Sequence, residues 1–178
     1  MTLPGRLKPR GGFTLIELMV VVLILGLLTF LIVPQYMRTI ESSKADDAAG
    51  IVKMIGTANR MFYVDRNQYA SGSLDDCTSG TCDNVSTNSC QLIYCKYLAA
   101  MDWKSKAYVF QACDKTNCCS IGSVAPGTAA PNIIACAKRR PGASPGTTKS
   151  NYMQWGYTTN QDGVTGYYKG ASPAPTPP

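Results

Sequence analysis

The chain has 178 residues, a formal net charge of +6, 45% hydrophobic residues, eight cysteines and no histidine. That length suits one modest domain with an extension, and the lack of histidine excludes any site built on imidazole. Arg6, Lys8 and Arg10 carry three of the charges; the remainder balances at 14 bases (17 less 3) against 11 acids, too even for a nucleic-acid reading drawn from bulk charge.

The first twelve residues form a short basic segment in which Pro4 and Gly5 discourage helix. Residues 13–33, FTLIELMVVVLILGLLTFLIV, are the most apolar run in the chain. As a helix they span about 31 Å, close to the ~30 Å hydrocarbon core of a bilayer. The cations before the run keep that end cytoplasmic and send the rest of the chain across. A cleaved secretory signal is the alternative, but the run is too long and no small-residue cleavage site follows it. A plain membrane anchor explains the length but leaves Glu17 unexplained. That carboxylate costs roughly 2.5–3.5 kcal/mol in a membrane, reduced by snorkelling near the helix start. Residues 13–37 hold no base to pair with it.

The helix is expected to continue to about residue 65, with bends at Gly26 and Pro34. Ala48, Ile51, Val52, Ile55, Ala58 and Phe62 recur at helical spacing and form a stripe for packing on a sheet. Lys44, Asp46, Asp47, Lys53 and Arg60 fall mostly off it. Asp46 and Asp47 are adjacent and do not face one another, so a solvated or intersubunit face is expected rather than acid–base chemistry. Asn67 is a candidate helix cap.

Residues 70–105 read as a loop region with a short helix around Gln91–Met101. The cysteines, Cys77, Cys82, Cys90, Cys95, Cys113, Cys118, Cys119 and Cys136, all follow residue 76. An even count with no Cys-x-x-Cys knuckle points to disulfides in an oxidising compartment rather than to zinc or redox catalysis. The four-residue gaps between Cys77 and Cys82 and between Cys90 and Cys95 permit small local loops, yet the full connectivity stays open among 105 pairings. Each bridge is worth typically ~2–4 kcal/mol to so small a domain. Strands are expected over Lys106–Cys113, 118–124 and Asn132–Arg139, with a hairpin of 151–158 and 164–169 turning at Asn160-Gln161-Asp162-Gly163. Lys138-Arg139-Arg140 reads as a solvated basic run entering a loop. Residues 171–178, ASPAPTPP, form a Pro-rich tail. The fold class is α+β with four or five short antiparallel strands. The expected segments are a leader at 1–12, a hydrophobic helix at 13–34, its amphipathic half at 35–66, a head at 67–170 and the tail.

Arg10-Gly11-Gly12 followed by Phe13-Thr14-Leu15-Ile16-Glu17-Leu18-Met19-Val20-Val21 resembles the class III signal of type IV pilins and type II secretion pseudopilins. Pro34 and Tyr36 stand where that family has its helix-bending proline and a following aromatic. The resemblance covers residues 5–40 and stops there. It implies a pilin-like fold, with the long helix packed by its second half on the sheet. It implies that prepilin peptidase cuts between Gly12 and Phe13 and N-methylates Phe13, leaving the apolar helix as the new N-terminus. It further implies partners: identical or related pilin subunits in a helical filament, prepilin peptidase and an inner-membrane assembly platform. The precursor would sit in the bacterial inner membrane with its head periplasmic, and the filament would be extracellular.

The cut creates an amine at Phe13 that a neighbour's Glu17 can neutralise in an apolar filament core, setting axial register, with an intrachain contact across about 6 Å of helix as the alternative. The leading expectation is therefore a non-enzymatic pilus subunit serving adhesion, motility or DNA uptake. Two alternatives stand beside it: a pseudopilin of type II secretion, and a membrane-anchored periplasmic binding domain that never polymerises. A secreted enzyme is disfavoured, because no nucleophile–base set is visible. No cofactor is expected. The resemblance raises calcium at Asn160–Asp162, but no glutamate closes that loop and a turn is favoured. It also raises DNA as a partner for Lys138, Arg139 and Arg140, with a solvated loop favoured.

Overall fold

The fold is taken from a computed structural model, which describes residues 12–115, 132–140 and 155–168. The leader bases Arg6, Lys8 and Arg10, the strand expected over 118–124, Cys118, Cys119, the loop after Arg140 and the Pro-rich tail lie outside those residues. The chain forms two compact units, Met1–Ile40 and Glu41–Pro178.

Helix α1 runs over Leu15–Arg66, and both positions expected to bend it, Gly26 and Pro34, lie inside this one continuous helix. Pro34 brings no N–H to the ladder. Thr29 and Thr39 return their hydroxyls to the carbonyls one turn earlier, Leu25 at 2.7 Å and Gln35 at 3.1 Å. The helix stops where expected. Asn67 adopts φ 55°, the left-handed conformation that asparagine tolerates, and its N–H donates to Tyr63 O at 2.7 Å.

In the second unit a five-stranded antiparallel sheet runs in the order β1 (Gly72–Ser73), β2 (Tyr108–Ala112), β3 (Ile133–Arg139), β4 (Gly156–Asn160), β5 (Thr165–Tyr168). The α+β class and the hairpin at Asn160–Gly163 are as expected. The hairpin closes by Asn160 N–H donating to Val164 O at 3.1 Å, with Gly163 at φ 84°. Strand β1 is an addition. Its two residues pair with Ala112 and Gln111 inside a stretch whose composition reads as loop. The short helix α2 is a correction: it covers only Gln91–Tyr94. Lys96 takes φ 63°, and the Leu98 N–H reaches back to Leu92 O at 2.8 Å, which turns the chain before a second helical turn forms.

The expected stripe of α1 is the core. Ala48, Ile51, Val52, Ile55, Ala58 and Phe62 are all buried, together with Tyr108, Phe110, Ala135, Ala137 and Tyr157 from the sheet. Each large apolar side chain buried this way is worth roughly 1.5–3 kcal/mol. Strand β2 alternates strictly, sending Tyr108, Phe110 and Ala112 into the core. The helix approaches the sheet closely at Gly56, where a Cβ would lie 2.8 Å from Thr159 Cγ2 and 3.7 Å from Ala135 Cβ.

Candidate processing and assembly segment

Gly12, Phe13 and Thr14 precede the helix without regular structure, and all three are exposed. Phe13 is 88% exposed, and nothing lies within 4 Å of where a Gly12 side chain would be. The Gly12–Phe13 peptide bond joins two exposed residues.

Thr14 and Glu17 form a reciprocal cap on α1. The Thr14 N–H donates to Glu17 Oε2 at 2.9 Å and its hydroxyl to the same oxygen at 2.8 Å, while the Glu17 N–H donates to Thr14 Oγ1 at 3.3 Å. This is the arrangement written by Thr-x-x-Glu, in which two orphan amides of a helix start are satisfied at once. The spacing Thr14-Leu15-Ile16-Glu17 carries that signal, and sequence reasoning passed over it in favour of charge pairing alone. Glu17 thus has a hydrogen-bonding partner in its own chain, so a partner from another chain is not obligatory for hydrogen bonding. The cap uses Oε2, and among the described residues no cation pairs with the carboxylate.

From Phe13 to Val33 every large apolar side chain is at least 49% exposed. A helix apolar all round is stable in water only when covered. By length and composition α1 is the one helix among the described residues able to cross a membrane. Gly26 lies within this stretch and Pro34 just past it.

The second unit carries polar side chains buried inside it. Glu41, 1% exposed, holds Arg139, 3% exposed, through Nη2–Oε2 at 2.9 Å, Nη2–Oε1 at 3.2 Å and Nε–Oε2 at 3.2 Å. Arg139 also donates from Nη1 to Ala107 O at 2.6 Å, and Lys44 adds a second cation to Glu41 at 3.0 Å. Arg140 reaches Asp75 at 2.7 Å. These facts overturn the solvated reading of Lys138-Arg139-Arg140: Arg139 ends strand β3, and the charges of both arginines are neutralised within the fold. They leave a DNA-binding face without two of its three cations. Asp46 and Asp47 are exposed as expected, with Lys106 Nζ 3.5 Å from Asp47.

Asn59, fully buried on α1, donates to the carbonyls of Ala70, Cys113 and Ile134 at 3.1, 3.1 and 2.8 Å and accepts from the Ala70 N–H at 2.8 Å. Neither it nor Glu41 was legible as a core residue, because polarity in a sequence reads as surface.

The disulfides settle part of a connectivity that the sequence leaves open, and neither mapped bridge closes a four-residue gap. Cys77 bonds Cys90 and Cys82 bonds Cys95, each across 13 residues, with Cα atoms 5.1 and 4.8 Å apart. Helix α2 sets this pattern, since Cys90 and Cys95 flank it and are presented together to the preceding loop. Cys113 and Cys136 are also in disulfides, and their sulfurs lie 3.6 Å apart, too far for a bond to one another. At the turn raised for calcium, the Asn160 side-chain carbonyl accepts from the N–H groups of Asp162 and Val164 at 3.1 and 2.9 Å. That oxygen is committed to the turn.

A family model for the prokaryotic N-terminal methylation motif matches residues 7–33. The chain is 45% identical over 64 residues to type II secretion system core protein G of Pseudomonas aeruginosa, which is 36% of this chain and 45% of that protein. It is 38% identical over 67 residues to the type IV major pilin protein PilA of Myxococcus xanthus, 37% of this chain and 30% of the relative. A core protein G from Aeromonas hydrophila is 38% identical over 62 residues, 35% of this chain and 43% of that protein. The chain thus spans less than half the length of these curated relatives. No solved structure matches significantly. The methylation motif thus leads into an exposed apolar helix with an antiparallel sheet behind it in the chain, and over about a third of its length the protein is similar to a type IV major pilin and to type II secretion core proteins G.

Proposed function

We propose that the protein is a structural subunit of a type IV pilus-like filament, with no catalysis of its own. The observation that carries this reading is the methylation motif leading into a helix whose large apolar side chains from Phe13 to Val33 are exposed. Such a surface serves the bilayer first and a bundle of like helices afterwards. Prepilin peptidase cuts between Gly12 and Phe13 and methylates the new amine. The precursor sits in the inner membrane with its head in the periplasm.

In the filament the Glu17 carboxylate meets the Phe13 amine of a neighbour. The capping geometry supports this, since Thr14 engages Oε2 and leaves Oε1 to face another chain. A pseudopilin of type II secretion is the second reading, favoured by the similarity to two proteins named core protein G.

Intact-mass measurement of the cell-derived chain tests the first step: loss of residues 1–12 plus one methyl group is expected, and an unprocessed N-terminus in cells holding prepilin peptidase overturns the reading. Electron microscopy of sheared surface fractions separates the two filament types. Long filaments containing the chain mark a pilin, and none outside a secretion apparatus marks a pseudopilin. Glu17→Ala should insert in the membrane normally and yield few filaments; normal filament numbers would remove the charge pairing.

A further inference from the structure

At the end of α1 a fixed cation meets a disulfide. Arg66 sends Nη1 to the Asp83 carbonyl, and its Nη2 lies 3.2 Å from Cys82 Sγ and 3.1 Å from Cys95 Sγ, the two sulfurs of one bridge. The guanidinium is braced from below, with Cζ 4.7 Å from the centre of the buried Phe62 ring. The Asp83 carboxylate is turned to its own loop, where the N–H groups of Ser86 and Val85 donate to Oδ1 at 2.6 and 3.0 Å and hold its pKa below the usual range. The Asp65 carboxylate accepts from the Tyr97 hydroxyl. Cys82 is exposed and Cys95 half-buried. At the other mapped bridge, Cys77 Sγ lies 3.7 Å from the Ser73 carbonyl, and no cation is recorded against its sulfurs among the described residues.

Thiol–disulfide exchange proceeds by thiolate attack on one sulfur and departure of the other as a thiolate. A cation beside the departing sulfur lowers its pKa and makes it the better leaving group, and the same charge draws in the attacking anion. Arg66 touches both sulfurs, so it serves whichever one leaves.

We propose that Cys82–Cys95, seated on Arg66, is a thiol-exchange site of the head, opened and reclosed by a small thiol or by the dithiol of a thiol–disulfide oxidoreductase. The reductant thiolate attacks the exposed Cys82 Sγ. A Cys82–reductant bond forms, the Cys82–Cys95 bond breaks, and Cys95 leaves as a thiolate against Arg66. A second reductant thiolate then attacks the reductant sulfur of the mixed disulfide and releases Cys82. Two electrons pass from the two reductant thiols to the bridge, the reductant leaves as its disulfide, and the two thiol protons end on Cys82 and Cys95 as far as those are protonated. Closure runs the same steps in reverse with an oxidised dithiol partner.

The test uses the full chain in detergent, treated with reduced glutathione, quenched with an alkylating agent and mapped by mass spectrometry. Glutathione on Cys82 and alkylated Cys95 should appear before any opening of Cys77–Cys90. Arg66→Met should slow that opening roughly fivefold, Arg66→Lys should restore most of the rate, and Cys77–Cys90 should open at the same rate in all three. Earlier opening of Cys77–Cys90 in the wild type, or an Arg66→Met rate equal to or above it, overturns the proposal. Where Arg66→Met does not accumulate folded, the wild-type order of opening decides. The readout involves no filament, so its failure is distinct from failure of the pilus reading.

Discussion

Arg139 closes on Glu41 from the end of strand β3, three of its contacts to the carboxylate lying between 2.9 and 3.2 Å with both side chains at most 3% exposed. The pair joins residues 98 apart in sequence, so it fixes the helix–sheet register of the second unit at one end. Removing Glu41 strips the buried Arg139 guanidinium of its carboxylate, and removing Arg139 takes from the buried Glu41 its closest cation, while Lys44 stays 3.0 Å from that carboxylate. Arg139→Ala or Glu41→Ala should each cost about 3–5 kcal/mol, read from urea unfolding of the full chain in detergent. Glu41→Leu with Arg139→Met should cost clearly less than either single change, because no bare charge remains. A double variant as damaged as the singles would show that the pair itself, rather than the stranded charge, is what matters.

Asn59 performs the same office further along the helix, joining α1 to Ala70, to Cys113 at the end of β2 and to Ile134 of β3. Asn59→Leu fills a similar volume but strands several backbone groups. A loss of about 2–4 kcal/mol is expected, at roughly 1–3 kcal/mol for each buried group left unpaired beyond what relaxation recovers. Thermal unfolding followed by circular dichroism reads it, and a shift within error would show that the carbonyls find other donors.

The two glycines in the second half of α1 should respond in opposite directions. Gly50 has open space where a Cβ would be, so Gly50→Ala should stabilise by about 0.5–1 kcal/mol through helix propensity. Gly56→Ala meets Thr159 Cγ2 at 2.8 Å and Cβ at 3.1 Å, and should destabilise by about 1–3 kcal/mol despite the same propensity gain. Thr159→Ser removes the first of those atoms and should return part of the loss. Equal effects at the two sites in paired melting curves would deny the close approach.

Tyr157 gives the fold an alkaline limit. Burial, and behind it the Asp46 charge, push its phenol up to about 12, and the hydroxyl has no hydrogen-bond partner among the described residues. Burial also pushes Tyr108 upward, the nearby Tyr157 adding to it. The unfolded phenol ionises near 10, so between about 10 and 12 the unfolded state sheds a proton that the folded state keeps. The contribution is fully present below pH 10 and lost as pH rises through 12. Denaturation midpoints taken from pH 9 to 12 should fall, and fall less steeply in Tyr157→Phe. An unchanged slope in that variant would place the loss elsewhere.

Much of this protein was legible without coordinates because its strongest signals are local. A run of 21 apolar residues with one acid, a helical stripe from Ala48 to Phe62, alternation in Tyr108–Ala112 and a Gly-closed turn each depend on neighbours within a few positions. Helix length, the stripe and the hairpin follow from that. Tertiary structure decided whatever depends on residues far apart. The carboxylate of Glu41 and the amide of Asn59 look like surface groups until β3 and the loops arrive to satisfy them. Arg139 and Arg140 read as a solvated basic run until Glu41 and Asp75 neutralise them. Cys77 and Cys82 have many possible partners in the sequence, and the fold around α2 gives them Cys90 and Cys95. Periodicity records which face a residue takes; it carries no record of what waits on the other side of the core.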